Sequence, residues 1–525
     1  MKTPAISRAR SSRASLPRER ARENGITMVL VAIAMVGIIA MAALSIDVIT
    51  LYLAREETQR AADAAALTAA RVISVSGITG DPANSSGKWN LICGGSTSPA
   101  SLAAAAAVQQ NSVGGSAIAS GSITVTYAAG SDGTVVSNPD CSQLPAASAF
   151  GVNPMVTVQL TSASVPTFFS RIWGSTGNTV NATASAEAFN SSNSGNVGNV
   201  VTGTITPVQP RCVKPWVIPN RDPLTPAPIG GQYCDQGLAV GACRPLVSTA
   251  DGSIKNQGIS LNGTNVSGAI GERIWIAPDC VHTGSSCSLR VNSPVGNYYA
   301  SGHQAWLQPP PSTEYLPGDM SNASSVAVPS CSAGSAYRQA IGGCDQKTVY
   351  ACGVQLSNQV DVSENPGAGT DDTRAAVTCL IHEGDATDPQ PDGQDTLVGR
   401  AGDPFGSPNT NNSPSQYPFQ ILAGGSNPLV ASGLASGSAV TSSPSIVSLP
   451  IYDDTDPAQI RPNGTTTITI VGFLQVFVNY VDQWGNVDVT ILNVVGCGNG
   501  NNPTSGTPVL GSSPVPVRLI TPPSS

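Results

Sequence analysis

The sequence predicts an α+β protein. An N-terminal transmembrane helix continues as an amphipathic helix. A small antiparallel β domain follows, then a disulfide-stapled, loop-rich, mainly β domain. Three observations predict this. Residues 26–46 carry no charged side chain. Residues 47–75 contain neither Gly nor Pro and are rich in Ala. Beyond them, short alternating runs are separated by Gly, Pro, Asn and Ser, and all twelve cysteines lie at position 93 or later. The 54 glycines, 41 prolines and 11% charged residues argue against a helix-rich cytosolic enzyme, which needs Lys, Glu and Arg to coat its helices. A net charge of −8 and a pI near 4.9 argue against nucleic acid as a partner.

The first element is a basic arm, residues 1–25, with seven Lys or Arg and two Glu. Residues 26–46 then span roughly 31 Å as a helix, which matches the hydrocarbon thickness of a bilayer. Basic residues before the span and almost none just after it put the N-terminus in the cytoplasm. The expected location is therefore the cytoplasmic (inner) membrane, single-pass, with the bulk extracytoplasmic, in the periplasm or at the cell surface. A cleaved signal peptide is the competing reading. Its apolar region is normally shorter, although Ala40-Met41-Ala42 offers a cleavage site. A buried soluble helix would need a polar face, and none is present.

Residues 47–76 extend the helix beyond the membrane. High helix propensity carries it, and Gly77 and Asp81-Pro82 stop it. Residues 26–75 thus read as one rod of roughly 75 Å. A stripe of small residues runs Leu51, Ala54, Thr58, Ala61, Ala65, Thr68, Val72. It packs either on the chain's own next domain or on another subunit, so self-association through this Ala-rich helix is one expectation. Glu56 and Arg60 are ordered for an i,i+4 ion pair, worth only a few tenths of a kcal/mol when exposed.

The residues now become recognisable. R-E-N-G-I-T-M-V-L-V-A-I-A-M-V-G from Arg22, D-V-I-T-L-Y-L-A-R from Asp47 and Q-R-A-A-D-A-A-A-L-T-A-A from Gln59 together resemble the N-terminal module of TadE/TadG-like Flp (Tad) pilus-assembly proteins. The matching positions are Gly25, Asp47, Leu51, Tyr52, Ala62, Asp63 and Leu67. Processed pseudopilins of that kind carry a Glu a few residues into the apolar run. Residues 26–46 have none, so the resemblance implies the larger, uncleaved TadG type, with no cleavage after Gly25. It also implies other Tad pilus-assembly or envelope proteins as partners, beside the lipid bilayer.

Residues 77–190 read as a pilin-like α+β domain. PASLAAAAAVQQ at 99–110 suggests a short helix. ITVTY at 123–127, MVTVQL at 155–160 and TVNATASAEAF at 179–189 alternate as strands. V-P-T-F-F-S-R-I-W-G from Val165 is a turn, and it too looks like the TadG-type continuation. Cys93 and Cys141 are the cysteines of this stretch and form the expected local disulfide. Residues 191–206 read as a linker. Residues 207–498 form the Cys-rich domain, entered at Trp216 as an aromatic anchor. Cys234 with Cys243, and Cys280 with Cys287, are spaced to clip loops. TTTITIVGFLQVFVNYV at 465–481 and VDVTILNVV at 487–495 read as a hairpin turning at Gly485-Asn486, with Cys497 tying it to the body. Residues 499–525 read as a mobile tail.

Sites for chemistry are mostly absent from the sequence. Cys379, His382 and Glu383 stand close together, but an exported cysteine is better spent in a disulfide. Asp361-Val362-Ser363-Glu364-Asn365 only begins like the metal motif of a von Willebrand A domain. Asp371-Asp372, Asp453-Asp454 and the acids from Asp385 to Asp395 read as solvated loops. No phosphate-binding loop or hydrolase motif occurs. The expectation is no cofactor, no metal site and no catalytic residue. The functional expectation is a non-enzymatic envelope component of the Tad/Flp pilus system. A tethered adhesin or stalk, and a tethered hydrolase, are the alternatives.

Overall fold

A computed structural model of the chain describes residues 20–84, 87–129, 136–144, 150–165, 169, 177–196, 205–223, 243–259, 268–278, 312–319, 335–343, 350, 358–361, 370–382, 393–399, 417–455, 464–481, 485–497 and 507–521. The expected rod is present as one uninterrupted helix, α1 (Arg20–Val75). Its first half is exposed and its second half is packed. The helix stops at Gly77, which takes the left-handed conformation at φ 79°. A Cβ at Gly77 would strike the Ile270 side chain and sit 2.7 Å from the Leu492 carbonyl oxygen. Gly77→Ala is therefore expected to cost roughly 2–5 kcal/mol, combining left-handed strain with overpacking. Denaturant unfolding of the detergent-solubilised chain measures it.

Two short helices follow, α2 (Asn90–Cys93) and α3 (Pro99–Gln109). Then come β1 (Ser112–Val113), β2 (Ser116–Ala117), β3 (Ile123–Ala129), β4 (Val136–Asn138), β5 (Met155–Val165) and β6 (Asn178–Ala188). The helix and three strands read from the alternation are all present, with β3 and β5 running two and five residues further than expected and the other two within a residue of the expected bounds. Strands β3, β5 and β6 pair antiparallel, with Val125 opposite Val158 and Val158 opposite Ala184. The second half of α1 lies across this sheet, with α3 also packed on it. Ala61, Ala65 and Ala69 are small enough to let sheet and helix approach closely, and all are fully buried.

The remaining strands are β7 (Val208–Pro210), β8 (Trp216–Pro219), β9 (Arg273–Pro278), β10 (Ser312–Pro317), β11 (Asn358–Asp361), β12 (Thr396–Val398), β13 (Gln420–Leu422), β14 (Ala439–Val440), β15 (Ile446–Tyr452), β16 (Thr465–Ile468), β17 (Ile470–Val481), β18 (Val487–Gly496), β19 (Val509–Gly511) and β20 (Val517–Ile520). Six of them close a small barrel in the order β10-β8-β15-β17-β18-β9. The expected hairpin is its centre, with Val481 opposite Val487 and Gly485 at φ 79°. The first run is not one strand. It breaks at Thr469, whose carbonyl accepts the Asp453 N–H at 2.9 Å, and the part before the break pairs with β11 instead. Trp216 anchors the barrel as expected: it is fully buried and donates to the Tyr337 hydroxyl at 3.0 Å.

Two boundaries differ from the sequence reading. Part of the expected linker, Ser191–Asn196, is a 3₁₀ turn wedged between the two units. Asn190 donates to Thr79 Oγ1 at 3.0 Å and to the Val494 carbonyl at 3.2 Å, and Asn193 donates to the Thr79 and Val152 carbonyls. Its Asn and Ser side chains bond backbone across the junction, so polarity here reflects packing, not solvation. The expected mobile tail is also partly strand. β19 pairs with β7, and β20 adds to β6 as an edge of the first sheet, where main-chain bonds outweigh the Pro and Ser content of the segment.

The two units meet at the end of α1. Its last carbonyls have no partner within the helix. The Asn493 amide donates to the Ser74 carbonyl at 2.7 Å, and the Tyr417 hydroxyl donates to the Ser76 carbonyl at 2.9 Å. The Ser74 hydroxyl donates to the Val515 carbonyl at 2.7 Å. Arg71 donates to the Thr441 carbonyl at 2.9 Å. The barrel and the tail thus supply the cap of the anchor helix.

Candidate anchoring and assembly surface

The part of α1 that emerges from the fold is apolar. Every large hydrophobic side chain from Ile26 to Leu53, apart from the half-buried Leu51, is exposed. The helix is long and apolar enough to cross a membrane. The apolar skin runs past the expected end at Ile46, because Val48, Ile49, Tyr52 and Leu53 remain uncovered. It is roughly 42 Å long, more than the hydrocarbon core and close to a whole bilayer with its headgroups. Tyr52 stands 64% exposed in the upper part of this skin, where an amphipathic ring suits a membrane interface.

On the opposite face of the same turns the helix is already inside the fold. Asp47 is 3% exposed, and both carboxylate oxygens accept the Phe169 N–H, at 3.2 and 3.1 Å. A buried acid is costly unless it is hydrogen-bonded. Here the bond also pins Phe169 to the helix. Asp47→Ala is expected to free Phe169 at a local cost of roughly 1–3 kcal/mol, while Asn, which keeps one acceptor, has a smaller effect. Faster hydrogen exchange of the Phe169 amide reports the release.

The other module positions have structural places. Leu51 and Leu67 are half-buried against the core. Ala62 is fully buried. Asp63 accepts the Gln59 amide at 2.8 Å, and the same amide donates to the Thr183 carbonyl of β6 at 3.1 Å. A Cβ at Gly25 would meet no neighbouring atom. Glu56 and Arg60 do pair, at 3.7 Å and exposed. The small-residue stripe is not offered outward. Ala54, Thr58, Ala61 and Ala65 are buried against the chain's own sheet and α3, so the expected seam for self-association is already filled.

Cys93, Cys141, Cys212, Cys379 and Cys497 behave as staples, whereas Cys243 keeps its thiol instead of forming the expected clip with Cys234. Cys93 and Cys141 are bonded, with Cα atoms 5.5 Å apart, beside Trp89, Phe150 and Tyr127. Cys497 is buried and disulfide-bonded; Cys212 and Cys379 are half-buried and also disulfide-bonded. The thiol of the Cys379–His382 grouping is thus a bridge half. Cys234, Cys280, Cys287 and Glu383 lie outside the described residues. Cys243 is half-buried and lines a pocket of about 150 Å³ with Arg221, Val247 and Asp454.

The described acids of these loops, Asp454, Asp372 and Asp395, are tied into local structure, while Asp385 to Asp392 lie outside the described residues. Asp454 pairs with Arg221. Asp372 accepts the Ser335 hydroxyl at 2.7 Å, and Asp395 accepts Gly424 N–H and the Asn427 amide at 2.8 and 2.7 Å. Among the described residues no group of three or more His, Cys, Asp or Glu gathers as a metal site. Two buried charges were not legible in the sequence. Lys214 donates to the Ile341 and Gly343 carbonyls at the end of the helix Ala336–Gly342, and burial brings its ammonium down to about 7. Glu272 is fully enclosed, and burial together with the Asp222 carboxylate pushes it well above the usual carboxylate range.

Residues 25–72 match a family described as putative Flp pilus-assembly TadE/G-like. No curated protein and no solved structure matches the chain. The matched segment coincides with the exposed apolar half of α1 plus the Ala-rich half that carries the sheet.

Proposed function

We propose, with the matched anchor module as the premise, that this chain is a membrane-anchored, non-catalytic envelope component acting in Flp pilus assembly. One helix sits in the cytoplasmic membrane with its N-terminus inside the cell. The sheet unit and the barrel stand outside it. The observation that carries this reading is the division of α1: the large apolar side chains of the matched residues are exposed up to Leu53, and from Ala54 onward one face of the helix is packed into the fold.

The division also suggests how the protein works. An unbroken helix carries position from lipid to fold without a hinge. Its end is capped by Asn493 and Tyr417 of the barrel unit, so the barrel is held at a set height above the membrane. From Leu53 to Val75 that height is roughly 33 Å. A rigid bracket of this kind suits a component that presents a surface to other envelope proteins.

Deletion of the gene followed by imaging of pili tests the reading. Loss of pili, restored by the full chain but not by residues 77–525 alone, is the expected result. Normal piliation in the deletion strain removes the assembly role. Intact pili with lost attachment would move the assignment to a tethered adhesin. Membrane fractionation tests the anchor separately: the full chain should need detergent for release.

A further inference from the structure

Exposed charge is missing from a long stretch of α1. From Gly25 to Ala54 the one charged residue is Asp47, and it is buried and bonded to the Phe169 N–H. Exposed charge begins at Arg55 and continues at Glu57 and Arg60. Just below that border, Ile46, Val48, Ile49, Tyr52 and Leu53 are 46–64% exposed. At 3.6 residues per turn they cover roughly 160° of the helix circumference.

The same turns carry folded protein on their other side. Ala43 is 6% exposed and Asp47 3%, whereas Ala32, Ala34 and Ala42 of the same run are exposed. One face of α1 is thus covered from Ala43 upward, while another stays bare and apolar as far as Leu53. The two overlap along roughly 15 Å of helix. A boundary between lipid and water set at Asp47 leaves Val48, Ile49 and Leu53 in water. One set at Arg55 takes Phe169 into the membrane. Tilt does not reconcile them: a 15 Å offset across a helix roughly 10–12 Å wide needs a tilt above about 50°, beyond the range of spanning helices.

We propose that lipid reaches Arg55, so that the lower end of the sheet unit, with Phe169 and the buried Asp47, is seated inside the bilayer. The bare face is continuous with the apolar run that starts at Ile26. From Ile26 to Leu53 the helix is roughly 42 Å long, the thickness of a bilayer with its headgroups. Tyr52 then lies at headgroup level, one turn below the first exposed charges. The arc is also wider than the narrow seam a second helix would fill, and suits a solvent of acyl chains. Asp47 falls roughly 12 Å under Arg55, deeper than one headgroup layer of roughly 5–8 Å. At that depth a polar group must be satisfied by protein, as Asp47 is by the Phe169 N–H. This inference rests on the membrane-anchor reading and goes past it. An anchor needs only residues 26–46, whereas here part of the fold itself is held in the leaflet.

Photolabelling of the full chain in vesicles of phosphatidylcholine and phosphatidylglycerol tests it. A fraction of the phosphatidylcholine carries a diazirine at a range of acyl positions, and adducts are mapped by mass spectrometry. Residues 28–41 are the internal control. The expected result is adducts on 28–41, on Val48–Leu53 and on the half-buried Phe169, lost by Glu57. Adducts on 28–41 that stop at Ile46 overturn the inference and leave the anchor standing. So do adducts on 48–53 without any on Phe169, which would place the fold above the lipid. Absence of adducts on 28–41 removes the anchor and this inference with it. Repetition in nanodiscs holding one chain each separates lipid from a second copy. Labelling of 48–53 seen only in those discs would assign the bare face to another copy of the chain and overturn the proposal; equal labelling in both supports it.

Discussion

Arg273→Leu is expected to destabilise the barrel by roughly 3–5 kcal/mol, the cost of stranding a buried charge. Asp488 is fully buried on β18, and Arg273 on β9 is its cationic partner, with Nε 2.7 and 2.9 Å from the two carboxylate oxygens. The pair bridges neighbouring strands, with Asp488 opposite Trp275 and Arg273 opposite Thr490. Asn479 adds bonds to Asp488 and Thr490 at 3.1 and 2.9 Å, so removing the arginine leaves a charge in a network built around it. Adding Asp488→Asn to Arg273→Leu should recover most of the loss, because the charge leaves with its partner. Native-state hydrogen exchange of the β18 amides reads both effects. An Arg273→Leu barrel as protected as wild type would refute the argument.

Cys93→Ala is expected to cost about 4 kcal/mol in the loop-entropy account, because the bond to Cys141 closes 48 residues of chain. Both sulfurs are fully buried under Trp89 and Phe150, so the void adds a packing loss to the entropic one. The effect should be confined to the sheet unit, where proteolysis of 77–190 accelerates while the barrel stays resistant. A reductant applied to the folded wild type should act slowly, since the bond has no solvent-facing side.

The elements carried by local periodicity were legible in the sequence. The apolar run, the Ala-rich extension, three strands of the first sheet and the second arm of the hairpin all follow from spacing that a reader can count. The Cys93–Cys141 bond was legible from composition, because no other cysteine precedes position 212. The barrel was not. Its β8, β9 and β10 are short and far apart in sequence, and two of its pairings are parallel, β9 with β10 and β8 with β15. No local pattern encodes such closures. For the same reason Asp47 was visible only as a module position, since its partner amide lies 122 residues away. Glu272 carries no motif at all; only its enclosure marks it. The small-residue stripe was correctly read as a close-packing face. Whether sheet or subunit filled it was a question of tertiary contact, and α3 and β6 filled it.

Strand β20 joins β6 across a sequence separation of 331, between Arg518 and Glu187. The barrel is thus an insertion between two neighbouring strands of the sheet that carries α1. During synthesis that sheet stays one strand short until nearly everything downstream has been made. Nonsense mutations and C-terminal trimming should therefore damage the sheet packed on α1 first, and quality-control proteases would meet an open sheet edge there rather than a ragged end.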